Sequence, residues 1–319
     1  HCKFETLNYI CNDLKNMKQN NKNTEFDLFG NEIVKDVLLR DKFMEPPFSV
    51  LDTRTSSWQN RKKLWISKGL KSEVGRKENL THVMPMKSYD SENMAEEYYE
   101  KGKETGTSVF DPSLTELMYK WFCPEGGNIL DPFAGGSVRG VVANYLGYKY
   151  TGLELRQEQV DNNREQALNI LPIENQPQWY CGDSDKLLDD KWNLKFDFLF
   201  SCPPYADLEV YSDLPDDLSN MDYKDFLSKY CSIIRKSLEL LKPNSYACFV
   251  VGDVRDKQGY YLDFISDTKK AFINSGAKLY NEAILLNSVG TASMRANRIF
   301  SAGQKLVKIH QNVLIFKKP

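Results

Sequence analysis

No apolar run in the 319-residue chain approaches the roughly 20 residues that span a bilayer, so the sequence predicts a cytoplasmic protein with no membrane partner. Its seven cysteines (Cys2, Cys11, Cys123, Cys181, Cys202, Cys231, Cys248) are scattered and contain no C-x-x-C pair. That absence argues against a disulfide framework or a zinc site, so no metal is expected, and it favours a reducing compartment. No signal-peptide pattern opens the chain, which starts on His1, as a trimmed natural start would. Internal repeats are lacking. So is any overall basic excess, since the formal net charge is -2.

What the chain does have is charge of one sign gathered in stretches. Between Arg54 and Lys77 lie Arg54, Arg61, Lys62, Lys63, Lys68, Lys71, Arg76 and Lys77, opposed within that window only by Glu73. From Arg295 onward Arg295, Arg298, Lys305, Lys308, Lys317 and Lys318 face no acid, whereas Asp183 to Asp225 is strongly acidic. Such polarity suits a polyanionic partner on one side, with Arg61, Lys62, Lys63, Arg295 and Arg298 as phosphate contacts. Either stretch alone is equally an ordinary solvated helix face.

Residues 1 to about 45 read as helical and polar, with an Asn/Lys-rich break at Lys18–Asn23. Pro46-Pro47 ends any helix there, because consecutive prolines hold the backbone extended. Phe48–Arg54 reads as a short strand leading to a helix, Ser57–Ile66, capped by Ser56 or Ser57. Trp58 and Trp65 share one face of that helix. They form either a stacking platform beside a phosphate surface or the core of a small N-terminal unit. A polar connector with one acidic-aromatic helix near Met94–Tyr99 follows, then a helix over Leu114–Phe122.

From Ile129 strands and helices alternate, which argues for a parallel sheet. Strands are expected at Asn128–Leu130, Lys149–Glu154, Trp179–Cys181, Phe196–Phe200, Ser245–Val251, Lys278–Leu286 and Gln311–Phe316. Helices are expected at about 138–146, 157–169, 222–241 and 260–275. The pattern predicts an α/β, doubly wound, mostly parallel seven-stranded sheet over residues 107–319. Residues 1–106 form a small helical, basic appendage in this reading, a region available to contact DNA.

Two loops organise the chemistry. Asp131-Pro132-Phe133-Ala134-Gly135-Gly136-Ser137 lies between a strand and a helix, so a nucleotide-like ligand can approach its backbone closely. Ser201-Cys202-Pro203-Pro204-Tyr205 follows another buried strand, and in open α/β sheets both strand ends face one crevice. Glu154 ends the next strand, where a carboxylate accepts hydrogen bonds from ribose hydroxyls of NAD or S-adenosylmethionine alike. Asp183 stands where it can bond an adenine amino group or cap a helix. Asp131 separates the two ligands: a carboxylate there repels a pyrophosphate but suits the cationic amino-acid end of S-adenosylmethionine. The G-x-G-x-x-G spacing is also incomplete.

Pro203 and Pro204 stiffen the second loop and leave carbonyls without local N–H partners. Such a carbonyl accepts a hydrogen bond from an exocyclic amino group, while the Tyr205 ring stacks on the base. Asp207 or Glu209 beside the loop can orient a base or a water. Arg255, after the Ser245–Val251 strand, is a candidate phosphate or base contact.

These residues resemble the S-adenosylmethionine-dependent DNA methyltransferases that modify exocyclic amino groups of adenine or cytosine, over about residues 107–319. Asp131–Ser137 resembles the family's cofactor motif, usually D-P-F-x-G-S-G, with Gly136-Ser137 exchanging the last two letters. Ser201–Tyr205 resembles its catalytic motif, usually Asp, Asn or Ser before P-P-Y. Phe110-Asp111-Pro112 resembles the upstream segment whose residues contact the methionine moiety, and His310–Lys318 resembles the closing strand. The segment Pro46–Arg54 is similar to phage and prophage methylases.

The resemblance implies a class I methyltransferase fold, S-adenosylmethionine as cofactor, double-stranded DNA as partner and a flipped target base. A restriction–modification or phage setting goes with it. Cys202 departs from the motif. It is closest in size to serine, the variant associated with cytosine, which sets cytosine ahead of adenine. A cysteine in this crevice also allows attack on a pyrimidine ring, giving carbon-5 methylation, or it is an inert small residue. An RNA methyltransferase, or a degenerate non-catalytic fold marked by Cys202 and Gly136-Ser137, are the other readings.

Overall fold

The computed structural model describes residues 25–26, 32–33, 43–71, 110–189, 192, 194–204, 214, 216–256, 258–287, 289–290 and 292–319. The chain divides into two compact units at Pro47/Phe48. The division expected near residue 106 falls outside the described residues. In the first unit β1 (Glu25–Phe26) pairs antiparallel with β2 (Glu32–Ile33). This corrects the helical reading of residues 1 to about 45 at these two short segments, where backbone pairing takes the place of helix.

The second unit begins with β3 (Val50–Asp52), α1 (Ser56–Ser67) and α2 (Pro112–Phe122). Then come β4 (Asn128–Asp131), α3 (Val138–Tyr145), β5 (Lys149–Glu154), α4 (Gln157–Ile170) and β6 (Gln178–Cys181). A short α5 (Ser184–Leu187), β7 (Phe196–Ser201), α6 (Tyr223–Leu240) and β8 (Leu241–Val251) follow. The chain closes with α7 (Phe264–Asn274), β9 (Lys278–Leu286), α8 (Ala292–Gly303) and β10 (His310–Lys317).

The sheet has eight strands in the order β3-β9-β10-β8-β7-β4-β5-β6. Only β10 runs antiparallel, to both β8 and β9. The central strands are apolar on both faces because helices cover both: Phe196, Phe198, Leu199 and Phe200 of β7 are each fully buried, as are Ile129 and Leu130 of β4. Seven strands were expected and the eighth is β3, which lies parallel along β9 with Val50 opposite Ile284. The Thr53 amide and hydroxyl both donate to the Leu286 carbonyl, at 3.1 and 2.7 Å. β3 thereby covers what would be an open edge of the nine-residue β9.

α1 packs on α2. Thr55, rather than Ser56 or Ser57, caps α1, its hydroxyl accepting from the Trp58 amide. Trp58 and Trp65 are 2 % and 3 % exposed, so they are core and no stacking platform. Their indole nitrogens donate to Asp111 at 3.1 Å and Glu116 at 2.9 Å. α7 starts at Phe264 because the preceding residues form a hairpin in which Arg255 bridges Tyr261. α8, in the connection between β9 and β10, is an element the sequence pattern did not predict. Among the described residues no helix is long and apolar enough to cross a membrane.

The strand directions bring the C-terminal ends of β3 to β9 and the start of β10 to one edge of the sheet. That edge carries the site.

Candidate active site

Asp131 ends β4 fully buried, and its carboxylate is surrounded. One oxygen accepts from Arg139 Nε at 2.5 Å and from the Tyr150 hydroxyl at 2.7 Å. The other accepts from the Ser201 hydroxyl at 2.5 Å and the Phe133 amide at 3.2 Å. A carboxylate has about four acceptor positions, and four donors inside the protein fill them. Asp131 therefore offers nothing to a ligand ammonium, and it does not line the cleft. Sequence reasoning assigned it the ligand because Arg139, the residue that claims it, lies on the following helix and its direction is not legible from spacing.

Arg139 does more than neutralise Asp131. Its Nη2 donates to the carbonyls of Phe133 and Ala134 at 2.6 and 2.9 Å, so it fastens the glycine turn. Burial works against its charge, but Asp131 outweighs that, and the net effect holds Arg139 protonated more firmly than usual. Its guanidinium lies 4.5 Å from the ring centroid of Phe110, which in turn sits edge-on to Phe200. The turn is also tied to α4, where Asn163 donates to the Gly135 carbonyl at 2.7 Å and Ser137 donates to Gln166 at 2.5 Å. Ser137 is thus buried and engaged away from the cleft. Gly135 adopts φ +52°, and the space where a Cβ would stand is open.

A cleft of about 490 Å³ opens over these elements. Its walls include Phe110, Pro132, Phe133, Gly135, Gly136, Arg139, Glu154 and Asp183, together with Cys202, Pro203 and Pro204. Glu154 accepts from the Gly135 amide with one oxygen and from the Arg156 amide with the other, both at 3.0 Å. Two acceptor positions remain on a carboxylate that faces the cleft. Burial raises its pKa, and the Arg156 charge with the two amides offsets this only in part. Asp183 caps α5 through the Asp185 amide at 3.0 Å and pairs with Lys229 at 3.0 Å, so much of its capacity is structural.

Sequence reasoning missed part of the wall. Thr53 and Gln59, from the β3–α1 segment, and Leu285, Asn287 and Gln311, from the far end of the sheet, also line the cleft. The signal that could have found them is the strand reading of Phe48–Arg54, once that strand is placed on the sheet.

The residues expected to bind substrate are dispersed. Arg61 is paired with Glu116 at 2.9 Å, and Lys62 lines the cleft 3.7 Å from Asp111. Lys63 is exposed. Arg255 lies in its hairpin, donating to the Gly259 carbonyl at 2.7 Å, and does not line the cleft. Arg295 and Arg298 are exposed on α8. Tyr205, Asp207 and Glu209 lie outside the described residues. Among the described residues no group of His, Cys, Asp and Glu is arranged to hold a metal ion.

A mostly parallel sheet with one antiparallel strand second from the end of the β4–β10 array, a glycine turn after β4 and an acid ending β5 define the class I methyltransferase fold. Residues 11–165 match the model of a DNA methylase family. The match ends before β7 and the Cys202-Pro203-Pro204 loop. Comparison with curated proteins finds no match. Among solved structures, the chain is similar to TrmN from Thermus thermophilus, with 15 % identity, 66 % of this chain and 49 % of that chain covered, and a TM-score of 0.46. The chain thus spans about half the length of that protein. It is also similar to a TehB-like S-adenosylmethionine-dependent methyltransferase from Corynebacterium glutamicum, with 15 % identity, 72 % and 97 % covered, and a TM-score of 0.39. A third is magnesium protoporphyrin IX methyltransferase from Synechocystis, with 11 % identity, 73 % and 99 % covered, and a TM-score of 0.41.

Proposed function

We propose that the chain transfers a methyl group from S-adenosylmethionine to an exocyclic amino group of a flipped DNA base, cytosine ahead of adenine. The observation that carries this reading is one cleft lined both by Gly135, Gly136 and Glu154 and by Cys202, Pro203 and Pro204. The phage-like Pro46–Arg54 segment fits a DNA-modification setting of the phage or restriction–modification kind.

The residues present fit the cofactor. Glu154 keeps acceptor positions for the two ribose hydroxyls, the open space above Gly135 admits a ligand against the backbone, and Phe110 supplies an apolar wall. The volume is in the usual range of small-ligand sites. S-adenosylmethionine, when bound, supplies a methyl carbon made electrophilic by its sulfonium.

The chain's own part is positioning, which carries most of the rate when reacting atoms must be held in line. Pro203 and Pro204 hold their loop rigid, so that its carbonyls face an incoming amino group and draw on its N–H bonds. Ser201 is fully buried and does not line the cleft, and its hydroxyl donates to Asp131, so it holds the loop in place. Asp131 and Arg139 act through the two loops and are positioning residues. A base inside a duplex does not reach such a cleft, so it is flipped.

Incubating the chain with methyl-tritiated S-adenosylmethionine and duplex DNA, then separating the nucleosides, tests the reading. Label in an amino-methylated deoxynucleoside is expected. Label in a ring-methylated deoxynucleoside, or none despite cofactor binding, overturns it.

A further inference from the structure

The connection between β9 and β10, residues 287–309, carries Arg295, Arg298, Lys305 and Lys308 and no carboxylate. It rises from the cleft edge of the sheet, and Asn287 and Gln311 at its two feet line the cleft. On α8, Met294 is 69 % exposed. Helical spacing sets Arg298 one turn from Met294 and beside Arg295, so an apolar side chain stands among two guanidinium groups.

The loop after β8 leaves the same edge as a hairpin. Arg255 lies 3.8 Å from the centroid of the Tyr261 ring, and Tyr260 is 72 % exposed. The acid in this turn, Asp256, is engaged by the amides of Gly259 and Tyr260 at 2.6 and 2.8 Å. Hairpin and connection touch: Gly259 has φ +98°, and Lys305 Nζ fills the space where a Cβ on it would stand.

We propose that these two segments form one surface that grips the DNA duplex beside the cleft. Arg295 and Arg298 take phosphates, Tyr260 stacks on a base, and Met294 enters the gap left by the flipped nucleotide. The proposal rests on the DNA reading above and adds where the duplex lies. Asp253 lies near Lys308, so the cations of the surface are Arg295 and Arg298 on α8. Cations interleaved with exposed aromatic and apolar side chains are the combination that binds both backbone and bases. Apolar wedges are what keep a duplex open at a disturbed step. α1 is the poorer surface, since Arg61 is held by Glu116 and Lys62 stands against Asp111.

Fluorescence anisotropy of a fluorescein-labelled random-sequence DNA duplex, titrated with the full chain over a salt series, tests this. Arg295→Ala with Arg298→Ala is expected to reduce the slope of log affinity against log salt by roughly 1.8, two phosphate contacts' worth. The double lysine variant is expected to keep the slope, which separates lost charge from lost fold. Tyr260→Ala is expected to weaken binding roughly tenfold with the slope unchanged. An unchanged slope in the double alanine variant overturns the proposal, as does a slope that falls with Lys63→Ala instead. Calorimetric binding of S-adenosylmethionine to the same variants is expected to be unaffected. A wild-type chain that binds the cofactor but no DNA duplex would sink the DNA reading itself.

Discussion

The hydroxyl of Ser201 donates a 2.5 Å hydrogen bond to Asp131, joining two turns that lie 70 residues apart in the chain. The bond is buried, and β4 and β7, which carry the two residues, pair directly. Through Asp131 the second turn is coupled to Arg139, and through Arg139 to the backbone of the glycine turn. The two loops of the cleft thus share one charged pivot.

Removing that pivot's cation is expected to be costly. Arg139→Ala leaves Asp131 buried without its counter-charge, and losing one partner of a buried pair typically costs about 3–5 kcal/mol. Urea denaturation at neutral pH measures it. A loss below about 1 kcal/mol would show that the pair does not hold the turn.

Ser201→Ala acts on position more than on stability. One hydrogen bond to a charged group is worth about 1.5–3 kcal/mol, while a small displacement of the second loop is expected to lower kcat by roughly ten- to a hundredfold. The cofactor's KM should stay close to wild type. An equal rise in KM would mean that Ser201 contacts the cofactor rather than positioning the loop.

Glu154→Gln is expected to weaken S-adenosylmethionine binding by about 1.5–3 kcal/mol through the loss of charged acceptors for hydroxyls. Because burial raises the Glu154 pKa, its contribution to folding stability is full below the ordinary glutamate value and is lost as pH rises through the raised one. Cofactor affinity runs the opposite way: it should fall as pH drops toward the mildly acidic range, above where an ordinary glutamate titrates. Calorimetry across that range checks both points, and the glutamine variant should show no such slope.

Glu116 behaves in the reverse sense. Burial pushes its carboxyl up, but hydrogen bonds from Lys120 and Trp65 and the charge of Arg61 outweigh it, so the net direction is downward. Its stabilisation is present above the ordinary glutamate range and is lost as pH falls through the depressed value. Glu116→Gln should flatten the acid limb of stability against pH, read from denaturant midpoints. A variant with the wild-type acid limb would place the acid sensitivity elsewhere.

Cys202→Ser distinguishes amino from ring methylation. If the loop backbone receives the amino group, serine should retain activity, since a hydroxyl accepts hydrogen bonds better than a thiol. If Cys202 attacks the ring, serine abolishes turnover, and DNA containing a fluorinated cytosine traps a covalent adduct. An active serine variant without an adduct is the expected result.

The central strands and both motif loops were legible from sequence because their signals are local. An unbroken apolar run such as Phe196–Phe200 has nowhere to go but between two helical layers. The Asp131–Ser137 and Cys202–Pro204 stretches carry their turn chemistry in consecutive residues. Glu154 was legible for the same reason, as the acid that ends a strand.

The partner of Asp131, the place of β3 and the role of the basic residues near Arg61 were decided only by the tertiary structure. Whether a buried acid faces a ligand or a neighbour depends on which side of α3 points inward, and Arg139 points at Asp131. The three residues of β3 gain their partner in β9, more than 200 positions later, through pairing that no local pattern encodes. Arg61 reads as a free phosphate contact until α1 settles on α2, where the buried Glu116 collects Arg61, Lys120 and the Trp65 indole. Local pattern selects elements because it acts on neighbours in the chain. Side-chain direction and charge partnership are settled by packing, where the cost of leaving a buried acid unpaired selects among the cations within reach.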